Sequence, residues 1–116
     1  MKIFAIELSS KVGSIALLED SRVLAERCWT EDFKNRQQLF DALDSLNADW
    51  NRIDGFVVGR GPGAFSGMRI AFSVACALAA PDKRPVYALN SGASLAAGGD
   101  AACTVVVGDA RREKIW

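Results

Sequence analysis

The sequence has no histidine, one tyrosine, three prolines and a formal net charge of zero, and the shortages remove whole classes of function. Without imidazole there is no His-based zinc site, no Ser-His-Asp triad and no histidine acid-base chemistry, so peptidase mechanisms that need His are excluded. Fourteen Lys plus Arg balance fourteen Asp plus Glu, which leaves no sequence-wide field to draw in nucleic acid or an anionic membrane. Any contact with RNA is then local or supplied by a partner. The three cysteines, Cys28, Cys76 and Cys103, are odd in number, far apart and set in apolar runs. They read as reduced core thiols rather than a disulfide framework or a metal knuckle, which points to a cytoplasmic location. Long hydrophobic runs are missing as well. Met1 to Ile6 turns charged at Glu7, too early for a signal-peptide core, and the longest apolar stretch, around Ile70 to Ala80, is too short to span a bilayer. A soluble chain with no membrane partner is expected.

What is present is globular material. With 50% apolar and 24% charged residues over 116 positions, the chain suffices for one compact lobe and falls short of a two-domain enzyme. Ile3 to Leu8 is a nearly continuous apolar run, the pattern of a central strand buried on both faces. Ile15 to Leu18 and Val23 to Trp29, joined by a polar turn, extend it into an antiparallel three-strand meander. From Glu31 to Leu46 the period becomes helical, with Thr30 as the expected cap. Ile53 to Gly59 reads as a strand, Phe65 to Ala80 as a helix, Pro85 to Leu89 as a strand and Ser91 to Ala97 as a short helix capped by Ser91. Ala102 to Val107 reads as a further strand, followed by a charged turn and, at Ile115-Trp116, a strand that the chain does not finish. This order predicts a mixed sheet covered by helices: an α/β, ribonuclease-H-like lobe of the kind found in actin-like ATPases and sugar kinases. Residues 1–100 would form that lobe and 101–116 the start of a second, apparently cut one.

Two stripes can be drawn on Phe65 to Ala80. Gly67, Ala71, Ala75 and Ala79 form a row of small side chains, and Ile70, Val74 and Leu78 a bulky one. The bulky row is expected on the sheet and the small row, with Met68 nearby, against a second helix. Phe33, Phe40 and Leu43 are most simply core residues, and any apolar edge left over would serve a partner helix.

The strongest local signal is Gly61-Pro62-Gly63-Ala64-Phe65-Ser66-Gly67-Met68-Arg69-Ile70, placed between a strand and a helix. Its glycines and the free N–H groups of the helix start would make an anion site with Arg69 as a clamp. There is no Lys-Ser/Thr pair and no Gly-x-Gly-x-x-Gly, so a tight turn whose glycines allow close helix packing is the favoured reading. Glu7 ends the central strand, Ser9 and Ser10 fill the turn after it, and Asp109 ends the last full strand. Glu7 and Asp109 would flank one cleft as a carboxylate pair, or serve as ordinary solvated strand ends. Arg111, Arg112 and Lys114 would touch an RNA backbone or form a solvated turn.

Ile3-Phe4-Ala5-Ile6-Glu7-Leu8-Ser9-Ser10, Val12 to Leu18, Gly59 to Ile70, Ala88-Leu89-Asn90-Ser91 and Asp109-Ala110-Arg111-Arg112 together resemble the N-terminal lobe of the TsaB (YeaZ) family, over essentially the whole chain. The resemblance implies a glycoprotease-like scaffold that lacks the metal-binding histidines of its TsaD relative, with no catalytic residue, cofactor or metal of its own. It implies helix-mediated pairing with TsaD or with itself, a TsaE-type ATPase joining the pair, TsaC supplying the threonylcarbamoyl-adenylate, and tRNA modified through TsaD. The interface residues would be Phe33, Phe40, Gly67, Met68, Ala71, Ala75 and Ala79. The cleft residues would be Glu7, Ser9, Ser10, Gly61, Gly63, Gly67, Arg69 and Asp109. The chain departs from the family where Glu7 replaces a commoner Asp, Asn35-Arg36 a His-Ser pair, and Ala64 and Ser66 the usual Ser and Thr. The alternative is an enzyme, half of an actin-like ATPase or sugar kinase, with Glu7 organising magnesium and Gly61 to Gly67 holding the phosphates of a nucleotide.

Overall fold

The computed structural model describes residues 1–32, 37–99, 103, 105–107, 109–111 and 114–115, the last two stretches by backbone alone. Strands β1 (Lys2–Glu7), β2 (Val12–Glu19) and β3 (Arg22–Thr30) form the expected meander. Helix α1 (Gln38–Ser45), strand β4 (Gly55–Gly59), helix α2 (Phe65–Ala79), strand β5 (Val86–Leu89) and helix α3 (Ser91–Ala97) follow. The sheet order is β3-β2-β1-β4-β5, with β1, β4 and β5 parallel. A separate antiparallel ribbon of β6 (Asp109–Arg111) and β7 (Lys114–Ile115) closes the described chain.

The two-residue alternation of a strand assigns the faces. Register sets Phe4 beside Leu17 and Phe56, and Ile6 beside Ile15 and Val58, so six large side chains rise from one face of the sheet. Onto that face α1 lowers Leu39 and Ala42, and α2 lowers Ala71, Ala75 and Ala79, completing a single core. Trp50 meets Phe4 edge-on at 5.2 Å. Arg84 ties the layer together: its guanidinium donates to the Trp50, Ile53 and Leu78 carbonyls and stands 5.3 Å over the Phe56 ring. It thereby fastens the C-terminal turn of α2 to the segment entering β4.

Several expectations need correction. The small stripe on α2 is the one sealed against the sheet: Ala71 and Ala75 have no exposure, while Val74 and Leu78 only flank the core, partly buried, and Ile70 is 50% exposed. The sheet already presents phenyl rings and branched side chains, and a second bulky row would overfill a layer packed to crystal-like density. The small row, assigned to a partner, therefore belongs to the protein's own core. The central strand is buried on one face rather than two, because α1 and α2 share a side. All three cysteines are exposed, not core. Thr30 ends β3 and caps nothing; its carbonyl instead accepts from the Gln38 side chain, and α1 starts without a side-chain cap. Asn90, not Ser91, caps α3 by accepting from the Gly92 N–H at 2.8 Å. Residues 105–107 are irregular, and the strand falls at Asp109–Arg111 instead. Phe33 and the Asn35-Arg36 pair lie outside the described residues.

Because Ala75 is sealed against the sheet, Ala75→Arg is expected to unfold the lobe by more than about 3 kcal/mol rather than dissociate an assembled one. Urea denaturation followed by circular dichroism checks this; a folded variant of near-normal midpoint would disprove the assignment of the contact row.

Candidate functional site

The parallel strands β1, β4 and β5 end at one edge of the sheet, so the loops after Glu7, Gly59 and Leu89 collect there. In open α/β sheets this edge is the usual place for a ligand crevice. The side chains that meet in it are Glu7, Ser9 and Ser91. One Glu7 carboxylate oxygen accepts from the Ser9 N–H at 2.6 Å, and the other accepts from the Ser91 hydroxyl. The Ser91 oxygen in turn accepts from the Gly61 N–H at 2.9 Å and from the Ser9 hydroxyl at 3.3 Å. The Ser91 N–H returns a bond to the Gly61 carbonyl at 2.9 Å.

A serine hydroxyl whose proton rests on a carboxylate has the look of an activated nucleophile. Its accounting says otherwise. A hydroxyl has one donor and two acceptor lone pairs, and Ser91 has committed all three. The cluster is a knot that binds the end of β1, the glycine turn and the start of α3 to one another.

The glycines serve the same knot. Gly61 has φ +80°, a left-handed conformation in which a side chain would be strained. A Cβ at Gly59 would overlap the Glu7 carboxylate, one at Gly63 the Ser9 carbonyl, and one at Gly67 the Leu8 carbonyl. The turn also uses its amides internally, since Ala64 N–H donates to the Ser9 carbonyl at 2.6 Å and Arg60 N–H to the Leu89 carbonyl at 2.8 Å. Of the two readings of the glycine block, close packing of backbone on backbone is the one the geometry supports.

Among the expected cleft residues, Glu7, Ser9, Gly61, Gly63 and Gly67 do come together. Ser10 does not, because its hydroxyl closes the hairpin by bonding to Val12 backbone. Arg69 points outward and stacks 5.7 Å over the Phe65 ring instead of clamping the turn. The Asp109 side chain lies outside the described residues, as do those of Arg111 and Lys114 and all of Arg112. Met68, expected at an interface, is half-buried with its sulfur against Gly61. Ser91 and Gly59 were missed as site residues. Reading Ser91 as a cap hid it; Asn90 one position earlier is an equally good cap type, takes the Gly92 N–H, and leaves the Ser91 hydroxyl free for Glu7.

The meander, the parallel continuation and the knot at the strand ends define a ribonuclease-H-like α/β lobe. A family model described as TsaD: tRNA N6-adenosine threonylcarbamoyltransferase matches residues 36–116. The tRNA threonylcarbamoyladenosine biosynthesis protein TsaB of Bacillus subtilis (strain 168) is 32% identical over 123 residues, an overlap that takes in 100% of this chain and 53% of the relative. The Escherichia coli (strain K12) TsaB is 31% identical, with 84% of this chain and 44% of the relative covered. The solved structure of YeaZ from Pseudomonas aeruginosa superposes with a TM-score of 0.70 at 35% identity, over 82% of this chain and 46% of that one. The chain belongs to the TsaD family, in its TsaB/YeaZ branch. It spans about half the length of the curated relatives it matches.

Two substitutions test the knot. Gly to Ala inside a helix normally gains about 1 kcal/mol. At Gly67 the sign reverses, because the new methyl would push α2 off the Leu8 carbonyl, and a loss of about 2 kcal/mol or more is expected in urea titrations. Ser91→Ala strands the Gly61 N–H and one Glu7 oxygen and should cost about 1–3 kcal/mol by the same measurement.

Proposed function

We propose that this chain acts in making threonylcarbamoyladenosine on tRNA as a non-catalytic partner of a TsaD-type subunit, docking through the outward side of its helix layer. The observation that carries this reading is what remains on that side once the core is complete. Phe65 is 71% exposed, Ile70 50% and, on α1, Phe40 58%. Between the large residues of α2 the outward positions are Ser66, Ser73, Cys76 and Ala77, with Arg69 as the sole charge. Short side chains let a second helix approach closely, and the large apolar ones give it area to cover. The docking residues are therefore Phe40, Phe65 and Ile70, not the alanine row.

A non-catalytic role is supported by the absence of any histidine to hold a metal and by a strand-end cluster whose hydroxyl is saturated. The same helix face would pair with a second copy when the TsaD-type subunit is missing, since an isologous contact uses one patch twice. A TsaE-type ATPase would then join the heterodimer. With zero net charge the chain would meet tRNA only through its partners, in the cytoplasm. Residues 1–100 would be the docking lobe and 101–116 the entry to a second. No helix among the described residues is long and apolar enough to cross a membrane.

Ile70→Arg is the direct test. The exposed position should leave stability within about 0.5 kcal/mol of the parent, while affinity for the purified TsaD-type subunit falls by about tenfold or more in calorimetric titration. Undiminished binding by Ile70→Arg would remove this face from the interface.

A further inference from the structure

The two helices that share the outward face are not held down equally. Helix α2 has fifteen residues, seals Ala71, Ala75 and Ala79 on the sheet, and is fastened at its end by Arg84. Helix α1 has eight residues, too few to be stable by itself in water, and buries only Leu39 and Ala42. It starts without a side-chain cap and carries no basic residue in its last turn. The end of a helix leaves carbonyls unpaired and is the negative pole of its dipole, so it calls for a cation. The edge strand β3 supplies one. Arg27 stands beside Ile15 in register and so rises from the face that α1 covers. Its Nε donates to the Ser45 hydroxyl at 2.9 Å and one terminal nitrogen to the Ser45 carbonyl at 3.0 Å, while the other donates to the Glu26 carbonyl at 2.7 Å. The Ser45 hydroxyl proton is engaged by the Ala42 carbonyl at 2.8 Å, which leaves its oxygen to accept from the guanidinium. The start of α1 is tied to the same strand through Gln38, which donates to the Thr30 carbonyl at 3.1 Å and accepts from the Asp32 N–H at 3.0 Å.

We propose that Arg27 is a positioning residue of the docking face: by gripping the C-terminal turn of α1 it holds Phe40 in the surface that a partner helix meets together with Phe65 and Ile70. This rests on the docking role proposed above for that face. Phe40 is 58% exposed and lies between the two tethers, beside the buried Leu39. Arg27 itself acts through α1 and needs no contact with the partner. Without its fork, α1 keeps the Gln38 tether at one end and has an uncapped, unpaired turn at the other. The fraction of molecules with Phe40 in place then falls, and the apparent affinity of a partner falls with it. The α2 side of the face is untouched, because the alanine row and Arg84 hold it independently.

Calorimetric titration of the purified TsaD-type subunit with the parent chain, Arg27→Met, Phe40→Ala and the double variant tests this, and amide hydrogen exchange on the unbound chains locates the change. Methionine keeps an apolar stem and removes the fork. Arg27→Met should weaken binding about fivefold and lower the protection of α1 amides about tenfold, with α2 amides unchanged. In the Phe40→Ala background the same substitution should cost less than about twofold, because the ring it positions is gone. A residue that only stabilised the lobe would cost the same affinity in both backgrounds. Unchanged affinity of Arg27→Met, equal losses in the two backgrounds, or protection lost alike from α1 and α2 would each overturn the proposal while leaving the docking face in place. Full binding by Phe40→Ala would instead remove α1 from the docking face, and the positioning role with it.

Discussion

The closeness of α2 to β1 and β4 is the constraint from which most other features follow. No side chain larger than a methyl stands on its contact row, where Ala71 and Ala75 are sealed and Gly67 meets the Leu8 carbonyl. The volume of the layer comes from the sheet, through Phe4, Phe56, Ile6 and Val58. Large residues on one surface and small ones on the other reach native density without forcing rotamers. A helix seated so low cannot be entered by an ordinary loop. The chain leaving β4 has to pass beside Ser9, and Gly61 and Gly63 are the residues that let it.

The strand-end cluster follows from the same geometry. With the turn drawn against Ser9, the Gly61 N–H would be left without water or a ladder partner, and Ser91 supplies the acceptor. Glu7 then completes Ser91 and also takes the Ser9 N–H. At these three loops the Glu7, Ser9 and Ser91 side chains and the Gly61 N–H are spent on one another. A glycine-rich turn before a helix is therefore an ambiguous sign. Whether its amides are free or already committed decides between cradle and hinge, and that information is in the coordinates of the opposite loop.

Much of the architecture was legible from sequence. The two-residue alternation and turn residues placed the meander, the switch to a helical period placed α2 and the second half of the span expected for α1, which begins at Gln38 with Glu31 and Asp32 outside it, and the order of elements predicted the mixed sheet. Ser9 and the glycine block do share one neighbourhood, whereas Ser10, drawn in with them, closes the hairpin instead. What escaped was orientation. Both rows of α2 are apolar, so hydrophobicity alone cannot say which faces the sheet; the answer lies in the sizes of Phe4 and Phe56, which are more than ten residues away in sequence. The cysteines misled for a related reason. Apolar neighbours do not bury a residue at the edge of an open groove, as at Cys28, or when the helix turns it outward, as at Cys76. Ser91 was hidden by a competing local role that Asn90, an equally good cap, fills instead.

Turning the small row of α2 inward changes what a partner would find. An alanine-lined face would have asked for a helix of bulky side chains to interdigitate with it. The face that is presented carries Phe65 with Arg69 stacked on it, Ile70 and, on α1, Phe40, so its complement needs small residues or a groove to receive them and an acid to meet the guanidinium. The opposite side of the sheet differs in kind: there the described residues form a groove floored by small apolar side chains, with the carboxylates of Glu7 and Glu26 at its margin. A face of large apolar residues and a face of small ones therefore stand on opposite sides of one sheet, separated by the core that Phe4, Ile6 and Val58 fill.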